Sequence, residues 1–454
     1  MTAPAAVPLT AGGAEIVPIL DAAYAGSSVN VVANVRQTLF THGDTQYAGF
    51  YDAAGFMVLA RRRVPPASAG TPVIIWETLQ SEHQGNVADA HNAISLVVDG
   101  DGYVHVAWDH HGNPLNYARG KAPGGLELLP PQPMTGQREG QVTYPQFFRT
   151  GEGDLYFLYR DGRSGRGALV LNRYETKVRR WTQVQPNLID GEGVRSPYWG
   201  MNVDAQGGLH LAWIWRDSPD VATNHDLCYA RSTDGGRTWT TSRGEPLALP
   251  ITAATAEYAV RIPPRHNLMN SPVVEVDAEG VPHLMSYWSP TPEAAPQFHI
   301  VSSRWRSPLH PEPLHVAGSA SESTWTVTPI DHPRAPFALA GAGTKRPPMS
   351  RGLLLLQGAG AQARAHLVYR DDRRGAKVLA VSSATGLEPP WKLTELTASP
   401  VGAWEPSYDP TAWAESGTLR MLLQRVEQGD GNDASAAAVP PEPVGVLSWK
   451  PLSP

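Results

Sequence analysis

Apolar and polar positions alternate in short runs along this chain, and the runs recur in sets. Residues 92–119 read NAISLVVD, a DG turn, YVHVAWDHH, a Gly-Asn-Pro turn and LNYARG, which predicts three antiparallel strands joined by tight turns. The same order returns in PQFFRTGEGDLYFLYRDG with ALVLNRYE, in GMNVDAQGGLHLAWIWRD with LCYARS, and in SPVVEVDAEGVPHLMSYWS with FHIVSSRW. Fainter copies follow in LLLLQGAGAQARAHLVYRDD with KVLAVSS and, from Pro406, in YDPTAWAESGTLRMLLQRVE with VGVLSWKP; TQYAGFYDAAGFMVLARRR is the first copy. Seven meanders at intervals of about 45 to 75 residues suit a propeller better than a sandwich, because one such sheet cannot bury both of its apolar faces until the ring closes. The expected fold is therefore all-β, a seven-bladed β-propeller, with residues 1–454 as one domain. The segment 1–29 is expected to close the ring, with a strand near Ala14 to Leu20 added to the last blade.

Composition agrees: 14 Trp, 43 Gly and 42 Pro belong to many short strands and turns rather than to helices. The string Ser232 to Trp239, STDGGRTW, fits the Asp-box pattern of sialidase-like propellers, in which Asp and Gly make the turn and Trp packs between strands. A net charge of −6 without a long Lys/Arg-rich run argues against nucleic acid as a partner. The one cysteine, Cys228, excludes an internal disulfide. No window approaches an apolar membrane span, and Met1 to Ala25 carries no signal-peptide pattern. The expectation is a protein off the membrane, secreted or periplasmic if a signal was trimmed and cytoplasmic otherwise.

In a propeller the start of the innermost strand and the end of the second strand lie on one face, since the two run antiparallel. Starts of innermost strands carry His91, Tyr144, Tyr198 and Asn270; ends of second strands carry His110, His111, Arg160, Arg216 and Arg370. Asn224 and His225 begin a third strand. Each alone has an ordinary explanation, a turn hydrogen bond or a rim ion pair, but together around one mouth they read as a site. These residue types suit an acidic sugar. Arg and His neutralise a uronate carboxylate, while a Tyr or His takes the C5 proton and protonates the departing glycosidic oxygen. A phenol with an ordinary pKa near 10 needs a cation such as Arg160 beside it to act as a base. Hydrolysis would instead need two carboxylates on the rim; Asp89, Asp109, Asp161, Asp217 and Asp371 are near it in sequence, and the last four each adjoin or flank a His or Arg they could orient.

The strings DAHNAISLVVDGDGYVHVAWDHHGNPLNYARG, TYPQFFRTGEGDLYFLYRDGRSGRG, GGLHLAWIWRD and TNHDLCYARSTDGGRTW resemble the BNR-repeat-containing family that includes seven-bladed ulvan lyases and L-rhamnose-α-1,4-glucuronate lyases. The resemblance implies a polysaccharide lyase that cleaves a rhamnose-glucuronate type linkage, as in ulvan or gum arabic side chains, by β-elimination. It implies a catalytic group of His91, Tyr144, Arg160 and His111, with Tyr144 and His91 as the acid/base pair and Arg160 and His111 neutralising the carboxylate. It places sugar contacts at Arg216, His225, Asn270, His110 and Tyr198. Strand alternation sends only one of His110 and His111 inward and leaves open which. The implied partner is an acidic polysaccharide or oligosaccharide containing uronic acid. The chemistry requires no cofactor. Some members are similar to metalloproteins with a structural zinc or calcium, for which His210, Cys228, His283 and His299 are the candidate ligands here. The rival readings are an α-L-rhamnosidase-type hydrolase on the same linkage, a sialidase, and a non-catalytic carbohydrate-binding propeller.

Overall fold

The second strands of most repeats are largely buried, and in the fourth repeat every residue of Leu209–Arg216 is buried. A run apolar on both sides needs a sheet packed on both faces, and neighbouring blades provide it. The computed structural model describes residues 12–33, 37–64, 75–303, 324–358, 363–431 and 439–451. It is a seven-bladed β-propeller. Blades 1 to 6 span residues 39–84, 95–119, 142–190, 196–260, 273–329 and 353–395, each a meander with its first strand innermost. In blade 7, Glu442–Trp449 pairs with Leu419–Gln424 on one side and with Glu15–Ala23 on the other, so a strand from near the start of the chain completes the last sheet. Residues 1–11, from the segment expected to close the ring, and residues 359–362 of the sixth repeat lie outside the described residues. No helix among the described residues is long and apolar enough to cross a membrane.

Blade 7 departs from the sequence reading. The stretch read as its opening strand runs through an isolated bridge, Tyr408 to Met421, into the helix Pro410–Ser416. Asp409 caps that helix through the Ala412 amide and also accepts from the amide and hydroxyl of Thr41 and the Gln46 amide group, which ties blade 7 to blade 1. Proline at the first helical position and Gly417 after the last turn are the signals that strand alternation concealed.

Two local devices set the blades. In the Asp box, Asp234 accepts from the Ser232 and Thr238 hydroxyls and from the Arg237 and Thr238 amides, and Trp239 is buried with its indole N–H on the Gly236 carbonyl. Gly236 has φ +87°, and a Cβ there would meet Leu171 of blade 3 at 2.5 Å. With Trp199, Trp213 and Trp215, Trp239 fills the seam between blades 3 and 4, at roughly 4–6 kcal/mol of burial each as an upper figure. The second device recurs from blade to blade. A second-strand His joins the Asp of the preceding turn to a hydroxyl of the third strand: Asp99, His105 and Tyr117 at 3.1 and 2.7 Å, Asp204, His210 and Tyr229 at 3.0 and 2.7 Å, and Asp277, His283 and Ser302 at 3.4 and 2.8 Å.

Candidate active site on the mouth of the ring

His91 sits in the single 3₁₀ turn Ala90–Asn92 before the innermost strand of blade 2, and Asp89 caps that turn by accepting the His91 amide at 3.0 Å. The same carboxylate bonds the Nδ1 of His91 at 2.6 Å and, through its other oxygen, the Nδ1 of His111 at 2.6 Å. The two imidazoles stack with centroids 3.9 Å apart and planes 13° from parallel. His111 reaches this place because His111–Asn113 leaves blade 2 and pairs onto the innermost strand of blade 3, opposite Thr143. The next residue is Tyr144, where the ladder to the second strand bulges and φ is +57°. A bulge re-aims a side chain, and a left-handed tyrosine is the kind of strain that persists at functional sites. The Tyr144 ring lies 5.6 Å from His91 and 5.8 Å from Tyr198.

Beneath the phenols lie cations. The Arg160 guanidinium is 5.0 Å from the Tyr144 ring and 5.4 Å from that of Tyr198, with its Nε and Nη1 buried and unpartnered. Arg216 lies 3.9 Å over Tyr198 and donates to the Tyr198 hydroxyl at 2.9 Å, to Asn224 at 2.6 Å and to the Asn270 side chain at 2.5 Å. Ser164 also bonds the Tyr198 hydroxyl, at 2.8 Å. Arg351 donates to the Asn270 carbonyl and pairs with Glu405 at 2.8 and 2.9 Å, joining blades 5, 6 and 7 beneath the mouth.

Burial and charge divide the ionisable groups. Burial lowers His91 to about 4 despite Asp89, with His111 and Arg160 pushing the same way, so the imidazole is neutral at neutral pH. With Nδ1–H donated to Asp89, its Nε2 carries a lone pair. Burial opposes ionisation of Asp89, but the hydrogen bonds from His111 and His91 outweigh it and hold the carboxyl far below its usual range. Burial and neighbouring Tyr198 push Tyr144 up to about 12 against Arg160 and Arg216, which keeps it protonated. Tyr198 is also buried, yet Arg216 and Arg160 outweigh burial and bring it down to about 8.

The structure thus brings together His91, His111, Tyr144, Arg160, Tyr198, Arg216 and Asn270. His111 is the most open of the catalytic candidates, its side chain 43 % exposed against 12 % for His91, while Arg160 is buried. His225 stands at the edge, between Asp217 and Asp226 at 3.1 Å each. His110 is elsewhere: it is fully buried, its Nε2 accepts the Asn116 amide at 2.8 Å, and burial lowers it to about 3. Asp109, with φ +64°, turns the chain between the two environments. Arg370, counted with the rim by position, is buried against the carbonyls of Trp404, Pro347 and Pro348 and against Asp372.

The candidate metal ligands do not converge. His210 and His283 are held by the Asp and hydroxyl of their own blades, His299 stacks on Trp288 at 3.8 Å, and Cys228 is a buried thiol that burial pushes up. Among the described residues, Asp89, His91 and His111 are the one trio of such side chains with ligating atoms close together. Both Nδ1 atoms there are bonded to the carboxylate at 2.6 Å.

Sequence reasoning missed Asp89 as the joint between the imidazoles, and missed Ser164, Arg351 and Glu405. Arg351 precedes the innermost strand of blade 6 as Asn270 precedes that of blade 5, so the rule used for the other blades reaches it. The faintness of the sixth and seventh copies hid that equivalence.

Residues 45–331 match the family described as BNR repeat-containing family member. An ulvan lyase, long isoform, from Alteromonas sp. is 26 % identical over a stretch covering 36 % of this chain and 22 % of that protein. A second, from Pseudoalteromonas sp. (strain PLSV), is 29 % identical over 24 % of this chain and 12 % of its own length. The chain therefore matches less than a quarter of the length of these relatives. Among solved structures, the polysaccharide lyase Uly1 superposes with TM-score 0.64 at 15 % identity, covering 97 % of this chain and 99 % of that one. A PL25 ulvan lyase bound to -[GlcA(1-4)Rha3S]- superposes with TM-score 0.57 at 14 % identity over 85 % of each chain. At these identities the likeness is one of fold.

Proposed function

Since the chain belongs to the BNR repeat-containing family, we propose that it is a polysaccharide lyase that cleaves the bond to a uronic acid, in a rhamnose-glucuronate type linkage such as that of ulvan or gum arabic side chains, by β-elimination. The observation that carries this reading is the set of two imidazoles on one carboxylate beside a protonated phenol over a buried guanidinium. The neutral Nε2 of His91 takes the C5 proton of the uronate. The electron pair of that C–H bond becomes the C4–C5 double bond, the C4–O bond breaks, and Tyr144 gives its proton to the leaving oxygen. His111, the open member of the pair, meets the sugar carboxylate. Arg160, buried beneath both phenols, works through its field rather than by direct contact, favouring the charge that builds on carboxylate and phenol. Arg216 fixes Tyr198 and Asn270, both buried, with the Tyr198 ring beside that of Tyr144.

Paired-carboxylate hydrolysis, as an α-L-rhamnosidase-type enzyme would need, is less well served, because Asp89 is engaged by both imidazoles. No cofactor takes part in the proposed reaction. A polymer of this kind meets its enzyme outside the cytoplasm, so the proposed place of action is secreted or periplasmic. The test is incubation with ulvan and with gum arabic, following the ultraviolet absorbance of a conjugated unsaturated uronate, with Tyr144→Phe as control. Growth of that absorbance in the wild type and its loss in the variant support the reading; reducing ends released without absorbance refute it.

A further inference from the structure

Between the outer strand of blade 5 and the innermost strand of blade 6, the chain from Ile330 to Gly352 forms no strand or helix. The outer strand of a four-stranded meander ends on the face where innermost strands begin, so this connection lies on the proposed catalytic mouth. It does not stay at the junction of its own two blades. Leu339 is buried and donates its amide to Asn267, before the innermost strand of blade 5, at 3.0 Å. In the loop after the second strand of blade 4, the Asp220 carboxylate accepts the Gly341 amide at 2.6 Å, and the Val221 amide donates to the Gly341 carbonyl at 2.9 Å. Three residues further on, Thr344 accepts the Gly431 amide at 2.7 Å, in the loop after the second strand of blade 7. Lys345 pairs with Asp430 of that loop at 2.6 Å, and the Arg346 amide donates to the same carboxylate at 2.7 Å. Three residues reach at most about 11 Å, so the chain crosses from blade 4 to blade 7 in one short span. Gly341 and Gly343, at φ +100° and +85°, make the turns of that crossing. At its far end the Thr344 hydroxyl lies 3.5 Å from the Nδ1 of His91, which belongs to blade 2.

We propose that residues 338–346 are a fixed strap across the mouth, and that the strap makes the enzyme cut at chain ends rather than within the polymer. The proposal rests on the polysaccharide-cleaving reading above. Cutting within a polymer needs a cleft open at both ends, because the chain continues on both sides of the broken bond. Here the strap stands against His91 and closes that side. The exposure of the catalytic group follows it: the His91 side chain is 12 % exposed and Tyr144 is 6 %, against 43 % for the His111 side chain stacked on His91. Substrate therefore enters from the His111 side. A sugar that comes within reach of His91 meets the strap, and the rest of its chain leaves by the way it entered. The strap stays in place because its anchors come from four blades that the ring holds together. Blades 4, 5 and 7 supply Asp220, Asn267 and Asp430, and in blade 6 the buried Arg370 holds the carbonyls of Pro347 and Pro348 at 2.9 and 3.2 Å. Both cations of the segment are engaged, Lys345 by Asp430 and Arg346 by Asp372. Lifting the crossing breaks bonds on two sides of the mouth at once.

Digestion of ulvan and of gum arabic by the whole chain, with fragments separated by size and read by ultraviolet absorbance and by reducing ends, tests this. The wild type is expected to release one small product from the first time points while the bulk polymer keeps its size. The double variant Asp220→Ala/Asp430→Ala frees both ends of the crossing without touching the catalytic group. It is expected to give a ladder of sizes, with polymer size falling at least fivefold further per bond cut. Hydrogen exchange reads the strap without activity: the Gly341 and Arg346 amides of the wild type are expected to exchange at least tenfold more slowly than in the double variant or in an unstructured chain. A ladder of sizes from the wild type, a single small product from the double variant, or wild-type strap amides that exchange as in an unstructured chain overturns the proposal. If the wild type gives unsaturated fragments of many sizes, the lyase reading stands and the strap proposal falls. If it gives one small saturated fragment, the strap proposal stands and the lyase reading falls. Absence of any cleavage overturns both.

Discussion

Replacing Asp89 with asparagine tests the proposed chemistry at the carboxylate that joins the two imidazoles. Asp89 accepts from the Nδ1 of both His91 and His111 at 2.6 Å, and it caps the turn that carries His91. Asparagine keeps the cap and the volume but presents an N–H to one of the rings. That ring must then accept at Nδ1 and carry its proton on Nε2, which removes the lone pair that takes the C5 proton or turns His111 away from the carboxylate. Each charge-assisted bond is worth about 1.5–3 kcal/mol. Losing one of the two costs about 1.5–3 kcal/mol of orientation, which converts to a fall of roughly 10–10² in kcat at 1.36 kcal/mol per decade. KM should move less than kcat. Initial rates by ultraviolet absorbance, with a thermal melt alongside, measure both effects. A variant that keeps more than a tenth of the wild-type kcat while melting at the wild-type temperature would show that the carboxylate does not set the tautomers and would refute the assignment of His91 as base.

Tyr144→Phe should lower kcat by about two orders of magnitude or more with little change in KM, as expected for loss of a general acid. Tyr198, held at about 8 by Arg216 and Arg160, should give wild-type kcat/KM a falling alkaline limb as its phenolate cancels their charge, and Tyr198→Phe should flatten that limb. The sign for stability is opposite: a phenol at about 8 in the folded chain and 10.0 unfolded binds fewer protons when folded across that window, so the wild type gains stability over Tyr198→Phe as pH rises from 8 to 10.0, read by melting temperature against pH. Burial lowers His91, His299, His332 and His366 to about 4 and His110 to about 3, so the unfolded chain binds more protons below the ordinary histidine value of 6.5, and the melting temperature should fall steeply between 6.5 and 4. His210→Leu strands Asp204 and the Tyr229 hydroxyl and should lower the melting temperature by an amount corresponding to about 1–3 kcal/mol while leaving kcat unchanged.

The ring was legible because each blade repeats one grammar, and grammar repeated seven times outweighs the ambiguity of any single short strand. The same rule placed His91, Tyr144, Tyr198, Arg160 and Arg216 near one mouth, because strand polarity fixes which end of a strand faces it. The rule fails where a residue leaves its blade. His111 meets Tyr144 only because its short strand pairs onto the next blade, and alternation alone could not say that His110 turns inward to the Asn116 amide. Helix Pro410–Ser416 was hidden for another reason: AWAES carries helix-forming residues, but a context of strands and a preceding Tyr-Asp-Pro favoured reading a turn and a strand. The His/Asp/hydroxyl braces explain why His210 and His283 recur at equivalent positions, a regularity that looked like a ligand set and serves to pin each blade's turn.

The central claim, that bond cleavage proceeds by elimination, is tested most directly by the fate of water oxygen. Digestion of ulvan or gum arabic in water enriched in the heavy oxygen isotope, followed by mass spectrometry, should give unsaturated fragments that carry none of the label at the cleaved bond. Saturated fragments with one labelled oxygen per cut would contradict it.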